Sequence, residues 1–250
     1  MQGSCQVLQT IIELAKSGLI FPVPSFIQTF LIAAKDVKQI IRTIGVRTFL
    51  TTELVNHFLC RIQHFHAHWS FSFDTIAASG EHSAMPHAIP TDKKLEKGDF
   101  LTMDFGCLYQ GYCSDMTRTV VIGSASEKQR EIYDTVLKAQ ETALLGIRPG
   151  MKGSQIDAMA RDVITDAGYG KYFGHALGHS VGLEIHESPN FSPREETVIK
   201  PGMVITVEPG IYIEGIGGVR IEDVVIITED GCENITHSTK KLLELTAQKG

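Results

Sequence analysis

Several features are missing from this 250-residue chain, and each absence excludes something. No long run of lysine and arginine occurs, and the net charge of -6 with a pI near 5.9 gives nucleic acid no electrostatic footprint. The five cysteines (Cys5, Cys60, Cys107, Cys113 and Cys232) are an odd number with no CxxC spacing, which argues against a disulfide framework and for a reduced, cytoplasmic setting. The longest mostly apolar stretch, residues 19–34, is interrupted by Pro22, Pro24, Ser25, Gln28 and Thr29, too broken to span a membrane. No basic segment precedes it, so it does not read as a secretory signal. Neither an internal repeat nor a low-complexity tract is visible. What remains is the composition of an ordinary globular protein, with 43% hydrophobic and 21% charged residues, enough for one large core or two small ones.

The chain is organised around residues 99–122. An apolar run, Phe100 to Met103, drives into Asp104; after a turn expected at Gly106, a second strand carries Asp115 into Thr117–Ile122. A carboxylate on an apolar strand needs a cation or a proton, because burying it unpaired costs several kcal/mol or more. A divalent metal answers for both acids; capping of turns or pairing with Arg118 is the alternative.

Helices are expected over residues 1–18, 27–44, 51–65, 126–147 and 153–168. Ser126-Glu127-Lys128-Gln129 is a capping box, and Ile132, Val136, Ala139 and Ala143 form one apolar face. Ser154–Asp157 resembles a second cap, and Asp157 with Arg161 reads as a surface i,i+4 salt bridge. A strand is expected from Trp69 to Ala78. His64, His66 and His68 share one face if extended, but nothing further accompanies them and they read as a surface turn. His87 stands on a stiff loop between Pro86 and Pro90, a place for a positioned proton donor. Residues 173–190 carry His175, His179 and His186 among glycines, as a strand approached closely by a ligand or metal would. Met203–Val207 is a core strand ending at Glu208. Residues 218–227 form another, with Arg220 and Glu222 on one face and Asp223 on the other.

Asp104, Asp115, His179, Glu208 and Glu222 thus each lie on or beside an apolar strand. Four carboxylates and an imidazole suit Mn²⁺, Co²⁺, Zn²⁺ or Fe²⁺, and carry too much negative charge for one ion but the right amount for two.

GYCSDMTRT, GHALGHSVGLEIHE, GMVITVEPGIY and GGVRIED, in that order, resemble the metallopeptidases of the pita-bread fold, nearest their Xaa-Pro branch of aminopeptidase P and prolidase. The resemblance runs from about Phe71 to Gly231. It implies an α+β fold: a curved, mostly antiparallel sheet with helices on its outer face and metals on the concave one. It implies that Asp104 binds one of two divalent ions, manganese first among them, that Asp115 and Glu222 bridge both, and that His179 and Glu208 hold the other. Glu208 would also shuttle a proton. His87, His175 and His186 would bind substrate and assist the leaving nitrogen, and Arg220 would offset the carboxylates. The implied substrate is a peptide with proline second, cleaved before the proline as by aminopeptidase P. Prolidase action on dipeptides, a methionine aminopeptidase-like activity and a silent fragment or binding module of the same fold are the alternatives. Residues 1–26 would be the remnant of an N-terminal domain and residues 27–250 the catalytic fold. No nucleic-acid or membrane partner is implied; self-association remains open.

Overall fold

A computed structural model describes Thr52 and residues 70–245. Apart from Thr52, the expected helices before residue 69, the His64/His66/His68 triplet and the 1–26 segment lie outside these described residues. Among the described residues, no helix is long and apolar enough to cross a membrane, and Cys113 and Cys232 are free thiols.

The fold is α+β. One four-stranded sheet has the order β14-β6-β3-β2, from β2 (Ile76–Ser79), β3 (Phe100–Phe105), β6 (Met116–Ile122) and β14 (Glu244–Leu245). Its pairings are antiparallel except β14 with β6. A five-stranded antiparallel sheet has the order β13-β12-β9-β7-β8. Its strands are β7 (Gly178–Ser180), β8 (Glu187–Phe191), β9 (Val204–Val207), β12 (Asp223–Ile227) and β13 (Cys232–Asn234). Two ribbons complete the fold: β1 (Ser70–Phe71) with β4 (Cys107–Tyr109) and β5 (Tyr112–Cys113), and β10 (Gly210–Ile213) with β11 (Gly217–Arg220).

Helix α1 (Glu127–Gly146) starts at the capping box read in the sequence: Ser126 Oγ accepts from the Gln129 N–H at 3.2 Å, and Gln129 Oε1 accepts from the Ser126 N–H at 3.0 Å. Helix α2 (Gly153–Asp166) begins one residue before Ser154, with Lys152 as its N-cap and the Gln155 side chain accepting from the Lys152 N–H. Gly153 permits that start, because an added Cβ would overlap the carbonyl oxygen of Asn190. Ile132, Val136, Ala139 and Ala143 of α1 and Ile156, Ala160 and Ile164 of α2 are fully buried, in one cluster with Ile205, Val207, Ile211, Val219 and Val225. The two helices therefore cover one side of the sheets and leave the other for a site. Burying each of these isoleucines and valines contributes about 1.5–3 kcal/mol.

Three local expectations are corrected. The strand expected over Trp69–Ala78 is two strands in different sheets, because residues 72–75 swing out and Phe73, Asp74 and Thr75 line a cavity. The chain does not reverse at Gly106; the turn is at Gln110 (φ 51°) and Gly111 (φ 84°), a two-residue loop of the type that matches strand twist. Gly106 instead lets the returning strand approach, since a Cβ there would overlap the Ser114 carbonyl. The strand expected over residues 218–227 is broken at Ile221 and Glu222, where the chain passes from the β10–β11 ribbon into the five-stranded sheet.

Candidate metal centre

All nine residues singled out in the sequence line one cavity of about 940 Å³: His87, Asp104, Asp115, His175, His179, His186, Glu208, Arg220 and Glu222. Phe71, Phe73, Ile76 and Ile185 supply apolar wall. The sheet registers explain the convergence. Asp104 of β3 stands opposite Thr117 of β6 and Ile76 of β2. Glu208 follows β9, Glu222 precedes β12, and Asp223 pairs with Val207, so both acids emerge at the same end of two neighbouring strands. His179 of β7 lies one strand further on, pairing with Asn190 of β8.

Asp115, His179 and Glu222 each offer a ligand atom, all within 4.8 Å of one another. His179 Nε2 lies 3.5 Å from Asp115 Oδ2 and 3.3 Å from Glu208 Oε1. Asp104 Oδ1 and Glu222 Oε1 are buried with no hydrogen-bond partner. Burial, then the neighbouring acids Glu222, Asp104 and Glu208, push the Asp115 carboxyl well up. Burial and then Glu208 and Asp104 do the same to Glu222. Burial raises Glu208 to about 7, with Arg220 pulling the other way. Packed carboxylates of this kind, with orphaned oxygens and one imidazole whose pKa burial lowers, form a donor set that suits hard or borderline divalent cations. The residues present fit a metal centre.

The remaining polar atoms are tied together. Arg220, 4% exposed, donates to Asp104 Oδ2 at 2.6 Å, to Thr117 Oγ1 at 3.0 Å and to the Tyr212 hydroxyl at 2.8 Å. Burial opposes its charge, but Tyr212, Asp104 and Glu208 outweigh that, so it stays a cation among the acids. Thr117 Oγ1 in turn donates to Glu222 Oε2 at 2.6 Å. Arg118 does not pair with Asp104 or Asp115. It faces the other way and pairs with Asp223 at 2.6 Å, within a buried cluster that includes Gln140, Asn234 and Lys240. Arg118 Nη1 also donates to the Glu222 carbonyl.

The histidines differ in their freedom. His175 Nδ1 lies 2.7 Å from the Ala176 carbonyl, which can only accept, so Nδ1 carries the proton and Nε2 accepts from Tyr212 at 2.9 Å. Burial, with Arg220 next, pushes the His175 pKa down to about 4, so this ring is neutral with both nitrogens engaged. His186 stacks edge-on against His179, ring centroids 4.4 Å apart, and burial lowers its pKa. His87 lies on the cavity wall beside Pro86 and Pro90.

Sequence reasoning missed Tyr212 and Thr117. A period-two reading from Glu208 through Gly210 would have found Tyr212, since Gly210 leaves the space that the Tyr212 ring fills. The glycines around His179 also need another reading: a Cβ on Gly178 would overlap the Thr206 carbonyl, so that glycine serves close strand packing, not ligand approach.

Residues 28–229 match the model of metallopeptidase family M24. The chain belongs to this family. Among curated relatives it is 56% identical over 172 residues to an Xaa-Pro dipeptidase of Pyrococcus furiosus, covering 69% of this chain and 49% of that protein. It is 54% identical over 176 residues to the uncharacterized peptidase YqhT of Bacillus subtilis, covering 70% and 50%. The chain thus spans about half the length of the curated relatives it matches. Among solved structures, the Xaa-Pro dipeptidase from Bacillus anthracis superposes with a TM-score of 0.84 at 48% identity, covering 87% of this chain and 61% of that one. The X-Pro aminopeptidase from Thermotoga maritima gives 0.83 at 39% identity, covering 87% and 61%. The fold of the family member described here is therefore the pita-bread fold expected from the motifs.

Proposed function

We propose that this family member is a dinuclear-metal hydrolase that cleaves the peptide bond before proline, acting on Xaa-Pro dipeptides. The carrying observation is the Asp115, His179 and Glu222 cluster, whose ligand atoms lie within 4.8 Å of one another, beside the orphaned oxygens of Asp104 and Glu222. The dipeptidase relatives favour a dipeptide substrate over the longer peptides of aminopeptidase P, the reading that the motifs alone put first.

Asp104, Asp115, His179, Glu208 and Glu222 would hold the two ions, with Mn²⁺ the first choice and Co²⁺, Zn²⁺ or Fe²⁺ compatible with the same donors. When bound, divalent ions supply Lewis-acid polarisation of a carbonyl and a water of lowered pKa. The chain's own groups supply the rest. Glu208, whose Oε1 lies 3.3 Å from His179 Nε2 and accepts from Thr206, would also shuttle a proton as the general acid-base group. His87 and His186, on the cavity wall, would contact substrate and bring a proton to the leaving nitrogen. His175, locked by Ala176 and Tyr212, would shape the wall without donating. Arg220 fixes Asp104 and balances the acids. The bond before proline is a tertiary amide with no N–H for recognition, so the enclosing apolar wall must do the selecting.

The test is hydrolysis by the metal-stripped chain with Mn²⁺ restored. An alanyl-proline dipeptide is expected to be cleaved, and Asp115→Ala to abolish cleavage. Cleavage of a proline-second tripeptide with the dipeptide untouched would move the assignment to aminopeptidase P. No cleavage of either by metal-loaded protein would end the hydrolase reading.

A further inference from the structure

The i,i+4 pair on α2 is not a surface salt bridge. Asp157 is 1% exposed, and Arg161 lies across it in a two-pronged contact, Nε to Oδ2 at 2.6 Å and Nη2 to Oδ1 at 2.9 Å. Arg161 has donors to spare and spends them on the chain ahead of β7. Nη1 donates to the Phe173 carbonyl at 2.9 Å and Nη2 to the His175 carbonyl at 2.8 Å. Its guanidinium also sits 4.2 Å over the Phe173 ring. Asp157 Oδ1 accepts from the Leu177 N–H at 3.1 Å. The Leu177 carbonyl in turn accepts from the Glu208 N–H at 2.7 Å.

We propose that Asp157 and Arg161 are positioning residues of the cavity: the pair clamps residues 173–177, fixing the backbone of His175 directly and that of Glu208 through the Leu177 peptide. A planar guanidinium is needed for this. One ion must meet two carboxylate oxygens and two carbonyls in fixed directions, which a lysine ammonium cannot do. The clamp lies on the helix side of the sheets and its targets on the cavity side, so it acts without touching substrate. This inference rests on the hydrolase reading for its catalytic consequence, but the clamp itself is a property of the backbone.

The experiment compares wild type with Arg161→Lys, Asp157→Ala and a control, Ile164→Val, which trims a fully buried residue of the same helix. Amide hydrogen exchange of the metal-free proteins is followed by mass spectrometry, and Xaa-Pro hydrolysis is measured with Mn²⁺ restored. Both clamp variants are expected to exchange faster over residues 173–179 and at Glu208, with β3 and β6 unchanged. Their kcat should fall about tenfold or more while KM stays within about twofold, because a misplacement of about 1 Å from a change far from the chemistry can cost about a hundredfold. Ile164→Val should lower the melting temperature and change neither readout. Wild-type exchange over 173–179 in Arg161→Lys, or a kcat that follows melting temperature equally in all three variants, would overturn the proposal. If wild type cleaves nothing, the hydrolase reading fails, and the exchange of the metal-free chains still decides the clamp.

Discussion

Asp223→Asn is a change of one atom type in the core, and its cost follows from what surrounds the residue. Asp223 is fully buried and accepts from Arg118 on Oδ1 and from Gln140, Asn234 and Lys240 on Oδ2, at 2.6–2.9 Å. Burial alone would raise its carboxyl, yet Arg118 and Lys240 hold it below the usual carboxylate range. Lys240 can swing to water, being 21% exposed, but Arg118 at 2% cannot. Neutralising Asp223 therefore strands a guanidinium in the interior. Breaking a buried pair in this way costs about 3–5 kcal/mol, a large part of the roughly 5–15 kcal/mol that holds a domain folded. The urea midpoint should drop with an unchanged slope. Removing Arg118 as well would leave the carbonyls of Thr117, Glu222, Ser238 and Thr239 without their donor, so Arg118→Met/Asp223→Leu is not expected to restore wild-type stability. A cost below about 1 kcal/mol for Asp223→Asn would refute the reasoning.

Two further outcomes are expected. In the metal-free protein the raised carboxyls of Glu208, Asp115 and Glu222 contribute stability below their unfolded values that is lost as pH rises and they deprotonate in the fold. The lowered His175, His179 and His186 push the other way, adding stability as pH rises through their unfolded value of about 6.5. The carboxyl contribution is therefore read between pH of about 6.5 and 8 as the difference between wild type and Glu208→Gln in urea melts, and a wild type that loses no more stability than the variant would contradict it. Gly178→Ala should cost several kcal/mol, about the upper range of overpacking, because the new methyl meets backbone at Thr206; a melting temperature within a degree or two of wild type would show that β7 can shift away from β9.

What the sequence made legible was local. Asp104 and Asp115 stood out because acids at the ends of apolar strands are chemically costly, and Arg220 and Glu222 because strand periodicity puts them on one face. The capping box at Ser126 and the apolar face of α1 were equally plain, since both depend on residues within one or two turns. What was misread depends on chain segments meeting across long separations. Asp157 and Arg161 look like a solvated pair until residues 173–177 are laid against them. Gly178 looks like a ligand-facing glycine until β9 is placed beside it. The break at Ile221 and Glu222 has no proline or glycine to announce it; it arises because residues 217–220 pair with β10 while residues 223–227 pair with β9. The Tyr212 bond to His175 joins residues whose only sequence link is period-two spacing from Glu208.

The most direct test of the metal centre is to count the ions. Metal-stripped protein would be dialysed to equilibrium against Mn²⁺ and the bound metal measured per chain. The account predicts two ions per chain for wild type and a loss of most of that binding in Asp115→Ala and Glu222→Gln. No retained metal in wild type, or equal retention in the two variants, would contradict it.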